Sequence, residues 1–393
     1  MTHLAVEASK IFLPTENPST HPAGVATMPG MIEGDTTPVL WLYGPPGVGK
    51  STIGWHIRHR LTGAAFVDID QLGMCYPEPP ADPGRHLLKA SNLAAVLDGF
   101  RAAGVRCVVV AGVVDPALGV RRDLIPNAEL TAVWLRAGRG DLDRRLDGRP
   151  GHPPLPDELL AGNAALDASG FADAVVDTTG LPIGKVVDLV REAVGQWPPR
   201  TAEGPSRQVP PSAAAGPVLW ICGPTGVGKS AVTFDVYMRV LRTGRKAAYI
   251  DLDQIGFFDE SSGDHRLKAH NVAAMWRIYR AAGTEFLHIC GAVEDAASLG
   301  IYSELLPDLT VCRLRAGRRA LTDRILLRGR GGGWPQPGDP LLGRPVEQLL
   351  NIVNDAAAAD SAQIGDVRID TDALSVTEVA DAVVARTGWA DLG

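Results

Sequence analysis

The sequence predicts an α/β protein of two tandem domains, each a five-stranded parallel sheet covered by helices. Three observations predict it. An eight-residue stretch occurs twice, as GPPGVGKS at 44–51 and GPTGVGKS at 223–230. Each copy follows an apolar run that opens with PVLW. Around both, strand-like runs alternate with helical stretches of ten or more residues, the pattern of a parallel sheet with helical crossovers.

Taken in order, residues 1–36 are rich in Thr, Pro and small residues and read as a mobile tail. The first domain is expected at 37–197, with strands at 39–43, 65–69, 105–110, 130–135 and 174–176. Its first helix, over 50–61, starts at the glycine-rich turn. Its second, over 87–103, carries Leu87, Leu93, Ala94, Val96, Leu97 and Phe100 near a 3.6-residue period and stops at Gly104. Residues 198–216 have a proline-rich linker composition. The second domain, 217–393, repeats the first. FVDIDQLG at 66–73 returns as YIDLDQIG at 249–256, and HLLKASNLAA at 86–95 as HRLKAHNVAA at 265–274. RAAG and LRAGR also recur. A repeat this long is a duplicated domain, and its insertions fall in turns, including the proline-rich loop 75–84.

The 393 residues leave room for two or three domains, each burying its own core. Composition is that of an ordinary globular chain, 45% hydrophobic and 21% charged. A net charge of −7 argues against a broad nucleic-acid surface. The five cysteines lack metal-ligand spacing, which suits a reducing cytoplasm. The first twenty residues lack a signal-peptide h-region, and apolar runs such as 107–114 are too short to span a membrane. Neither nucleic acid nor membrane is an expected partner.

Both repeated octapeptides match G-x-x-x-x-G-K-[ST], the P-loop. Its backbone N–H groups cradle a nucleoside triphosphate, its lysine neutralises the β/γ-phosphates and its hydroxyl reaches Mg²⁺. ATP and Mg²⁺ are therefore the expected cofactors. Gly44, Gly47, Gly49, Lys50, Ser51 and Thr52 form the first nucleotide site, and Gly223, Gly226, Gly228, Lys229 and Ser230 the second. Each second strand ends in Asp-x-Asp, with both carboxylates on one strand face. Asp68 and Asp251 are read, with Ser51 and Ser230, as holding the metal's water shell. Asp70 and Asp253 are read as accepting a proton from an attacking hydroxyl. A pair of turn-starting aspartates is the alternative. Lys89 with Asn92, and Lys268 with Asn271, share a helix face and suit a polar or anionic acceptor, unless that face is merely solvated. Arg145 with Arg149, and Arg324 with Arg328, are i, i+4 pairs leading into a glycine-rich loop. They suit a lid over the phosphates, or else a charged surface helix. No acidic pair ends the third strand, and NKxD and LSGGQ-like runs are missing. His288 reads as a core residue.

Together these motifs resemble the small P-loop kinases, a group that includes the adenylylsulfate, shikimate, gluconate and chloramphenicol kinases. RLDGRPGH at 145–152 is similar to the gluconate-kinase lid, and Lys89/Asn92 to the Arg-x-x-Asn helix of adenylylsulfate kinases. FVDIDQLG with GRHLLKASN also resembles actinobacterial ATP-binding proteins described as AAA-like or kinase-like. The resemblance implies ATP-dependent phosphorylation of a hydroxyl on a small metabolite, with Lys50, Lys229 and the lid arginines stabilising the transition state. It also implies that 177–180 and 370–373 lie beside the adenine. Departures are Lys89 in place of the arginine, and GGGW in place of the lid histidine in the second copy. An ATP-operated switch or scaffold with slow hydrolysis is the alternative. The tandem suits either intramolecular domain pairing or a homo-oligomer.

Overall fold

A computed structural model describes residues 36–147, 157–199, 212–258, 264–332, 339, 341–359 and 363–389. The tail (but for residue 36), most of the linker, Arg149 and the glycine-rich loop at 333–338 lie outside the described residues.

The first half runs β1 (Thr37–Tyr43), α1 (Lys50–Arg58), β2 (Ala64–Asp68), β3 (Cys75–Tyr76), α2 (His86–Ala102), β4 (Cys107–Gly112), β5 (Ala128–Arg136), α3 (Arg139–Asp147), α4 (Asp157–Ala168), β6 (Ala174–Asp177) and α5 (Ile183–Ala193). The second runs β7 (Val218–Cys222), α6 (Lys229–Arg242), β8 (Ala247–Asp251), α7 (His265–Ala281), β9 (Phe286–Cys290), α8 (Ala296–Leu305), β10 (Leu309–Arg315), α9 (Arg318–Gly329), α10 (Val346–Ala359), β11 (Val367–Asp370) and α11 (Val376–Thr387). The first sheet is parallel in the order β2-β4-β1-β5-β6. The strands of the second half follow the matching order, β8-β9-β7-β10-β11.

Alternation along the strands divides the interior. Val39, Trp41 and Tyr43 of β1, and Val218, Trp220 and Cys222 of β7, face one shared core. Leu40 and Leu42 face an outer core closed by α1 and α5, and Leu219 and Ile221 a second one closed by α6 and α11. Because both faces are covered, the strands read as continuous apolar runs. Two separate cores were expected; instead the central one runs through both halves. Its middle is α2 packed on α7, with Leu93, Val96 and Phe100 against Val272, Trp276 and Tyr279. An aspartate holds the first-turn amides of each of these helices. Asp82 accepts from the N–H of Leu87 and Leu88, both at 2.9 Å, and Asp264 accepts from the N–H of Leu267 at 3.0 Å.

The second sheet has six strands where five were expected, because β3 of the first half pairs antiparallel with its edge strand β8. The exchange is reciprocal. Met74 O accepts from Tyr249 N at 2.8 Å, and Phe257 O accepts from Phe66 N at 3.1 Å, with Phe258 bridging Ala65. An open parallel sheet leaves an edge of unpaired backbone groups. Here each half covers the other's edge with the segment that follows its own Asp-x-Asp. The end of the stretch read as linker is also packed, since Ala214 is buried and its N–H reaches Leu305 O at 2.8 Å.

Candidate active site

Both P-loops adopt the turn their glycines allow. A Cβ on Gly44 would lie 2.2 Å from Leu135 O, and one on Gly223 2.4 Å from Leu314 O, so only glycine fits there. Gly49 and Gly228 cap α1 and α6 in the left-handed region, and no side chain caps either helix, which leaves the first-turn amides for an anion. Lys50 Nζ donates to the carbonyls of Gly44 (2.8 Å) and Pro45 (2.9 Å), and Lys229 Nζ to that of Pro224 (2.9 Å). Gly47 and Gly226 carry the turn at positive φ, and Thr52 is exposed on the first turn of α1.

The paired aspartates separate into two environments. Asp68 accepts from Ser51 Oγ at 3.5 Å and from the Asp70 N–H at 3.1 Å. Burial, then the Asp70 charge, raise its pKa from 3.8 to about 7. Asp251 accepts the Asp253 N–H at 3.0 Å, and burial followed by the Asp253 charge likewise lift it to about 7. Ser230 Oγ lies 3.4 Å from Cys290 Sγ. Asp70 is bonded to Lys89 Nζ at 2.8 Å, and Asp253 to Lys268 Nζ at 3.0 Å. Burial pushes Asp70 up, but the Lys89 charge and hydrogen bond outweigh it and leave Asp70 below the ordinary carboxylate range. The lysines are 5% and 6% exposed and the aspartates 35% and 53%, so each ammonium braces a solvent-facing carboxylate from below. Gly73 and Gly256 make room for this, because a Cβ there would strike the lysine stem at 2.6 and 2.7 Å.

Three readings from sequence need correction. Lys89, Asn92, Lys268 and Asn271 are not on a solvated face, since all four are buried. Asn92 and Asn271 therefore do not grip an acceptor. Their amides hold the loop after Asp-x-Asp, donating to Leu72 O at 2.6 Å and Ile255 O at 2.8 Å. Arg145 and Arg324 are braces, not free lid side chains. Arg145 donates to Val48 O (3.2 Å) and to Thr178 Oγ1 and O (3.1 and 2.8 Å). Arg324 does the same to Val227 O (3.2 Å) and to Thr371 Oγ1 and O (2.8 and 2.9 Å), tying the P-loop to the end of the last strand. Arg328 does face the site, braced by Asp339 at 2.6 Å.

Two cavities of about 440 and 430 Å³ flank the second P-loop, and Lys229, Ser230 and Arg328 line both. The first also takes in Asp251, Asp253 and Lys268. The second runs along Thr371 and the exposed side chains of Leu327, Leu374 and Val376, an apolar slot suited to a nucleobase. Sequence reading missed His265, which lines the first cavity between Glu294 (2.8 Å) and Tyr302 Oη (3.1 Å). Its only signal was the histidine that opens both repeated helix motifs. His288 is a core residue as expected, held neutral between Ala248 O and the Trp389 indole, with burial lowering its pKa to about 3.

No family model and no curated protein matches the chain. Solved structures that resemble part of it include a sugar kinase from Janibacter, at 23% identity over 40% of this chain and 94% of that one, TM-score 0.32. A gluconokinase from Sinorhizobium meliloti shares 23% identity over 41% and 92%, TM-score 0.30. The APS kinase of Mycobacterium tuberculosis, solved with AMPPNP and APS, shares 19% over 46% and 99%, TM-score 0.29. The geometry of the site, not these likenesses, carries the functional reading.

Proposed function

We propose that the chain is a tandem of two P-loop kinase-like domains that transfers the γ-phosphoryl group of ATP to a hydroxyl of a small metabolite. The observation that carries this reading is the pair of cavities meeting at Lys229, Ser230 and Arg328. A triphosphate laid across that junction would have its base in the apolar slot and its γ-phosphate facing the Asp253 cavity. The acceptor oxygen bonds to Pγ as the bond to the β–γ bridging oxygen breaks, releasing ADP, and the hydroxyl proton passes to Asp253. Lys268, bonded to Asp253 at 3.0 Å, holds that carboxylate correctly turned. A weak base suffices where the transition state is loose. One hydroxyl and one carboxylate per site, Ser51 with Asp68 and Ser230 with Asp251, would hold Mg²⁺, which would neutralise phosphate charge there. Lys229 and Arg328 stabilise charge on the transferring group.

A reducing cytoplasm is the proposed location, supported by five unpaired, buried cysteines. Among the described residues no helix is long and apolar enough to cross a membrane. The second reading, an ATP-operated switch, draws on the reciprocal edge pairing of the halves. Calorimetry with Mg·ATP tests the shared premise. Full-length protein should bind two equivalents and each of Lys50→Ala and Lys229→Ala one; two equivalents in either variant would overturn the two-site reading.

A further inference from the structure

Phe257 belongs to two sites. It lines the second half's cavity beside Asp253 and Gly256, yet its ring and backbone are held by the first half. Its ring stands edge-on to Trp55 at 4.7 Å, and Trp55 is stacked on Phe66 at 4.7 Å and 26°. Its carbonyl accepts the Phe66 N–H at 3.1 Å, and Phe258 bridges Ala65. Trp55 is on α1, the helix whose first turn carries Lys50 and Ser51, and Phe66 is on β2, the strand that ends at Asp68. Helix and strand are in close contact, because a Cβ on Gly54 would lie 2.7 Å from the Phe66 ring. A rigid aromatic path thus joins the first P-loop helix to the wall of the second acceptor cavity. The matching place on the other side is filled by flexible Met74, in the same core as Phe234 and Tyr249.

The geometry points to Trp55 as a positioning residue for the second site: nucleotide on the first P-loop fixes α1, and Trp55 passes that order to the cavity wall at 256–258. The first half then regulates the second, and by linkage an acceptor seated against Phe257 tightens nucleotide binding on the first P-loop. This rests on the proposed function only in requiring nucleotide at the first P-loop.

The test uses the full chain with Lys229→Ala, which leaves the first P-loop as the site for Mg·AMPPNP. Calorimetry establishes binding, and amide hydrogen exchange is followed across 254–258. The expected result is exchange slowed by about fivefold or more on saturation, within the usual range of allosteric coupling. Adding Trp55→Leu should abolish that response while AMPPNP affinity stays within about threefold; Phe257→Leu, which keeps the backbone bond to Phe66, should abolish it too. Bound AMPPNP without slowed exchange, or a response that survives both substitutions, overturns the coupling alone. No binding overturns the coupling and the functional reading together.

Discussion

Asp251→Asn should make the nucleotide-free protein more stable at neutral pH. Asp251 is 5% exposed and faces Asp253 across one residue of chain. Burial and that neighbouring charge lift its pKa from 3.8 to about 7, so folding favours the protonated form. The stability contributed by this group is complete below about pH 4 and is lost as pH rises to about 7. At about 1.4 kcal/mol per pH unit, the destabilisation present at pH 7.5 is on the order of 2–4 kcal/mol. Asparagine keeps an oxygen to accept the Asp253 N–H but carries no charge. Urea unfolding without nucleotide at pH 4.0 and pH 7.5 reads the effect. The variant should gain little at the lower pH and most at the higher, while losing Mg-dependent nucleotide affinity. A stability difference that does not change with pH, or a variant weaker than wild type at pH 7.5, would refute the reasoning.

Two further outcomes follow from side-chain geometry. Arg324→Lys removes the planar fork that joins Val227 O to Thr371, and should raise the Kd for ATP at the second P-loop by about tenfold, measured by calorimetry in a Lys50→Ala background. Gly99→Ala would set a Cβ 2.0 Å from Asn271 Oδ1 at the α2–α7 contact, so it should cost about 1–3 kcal/mol and lower the Tm of both halves as one transition.

The P-loops were legible because their requirement is local: the octapeptide fixes a turn in which Leu135 O or Leu314 O excludes any Cβ. The strands and helices were legible from apolar runs and periodicity, and Lys50 to Arg58 and His86 to Ala102 fall within two or three residues of the expected helices. What escaped depends on segments distant in sequence. Residues 75–84 read as a proline-rich loop, and nothing local says that Cys75 and Tyr76 pair with Ala248 and Ala247. Lys89 and Asn92 read as a polar face, because nothing local says that the loop after Asp-x-Asp folds over them and takes Lys89 at Asp70 and Asn92 at Leu72 O. Arg145 and Arg324 matched a lid stripe by spacing, but their real partners are two P-loop carbonyls and two strand-end threonines brought close by the sheet order.

Phosphoryl transfer itself is tested most directly by incubating the full chain with ATP carrying an ¹⁸O-labelled γ-phosphate and a pool of small metabolites, followed by mass spectrometry. Phosphoryl transfer at Asp253 should give a labelled phosphomonoester with wild type and none with Asp253→Asn, although that variant still binds ATP. Labelled inorganic phosphate as the sole product, or a phosphomonoester formed equally well by Asp253→Asn, would contradict it.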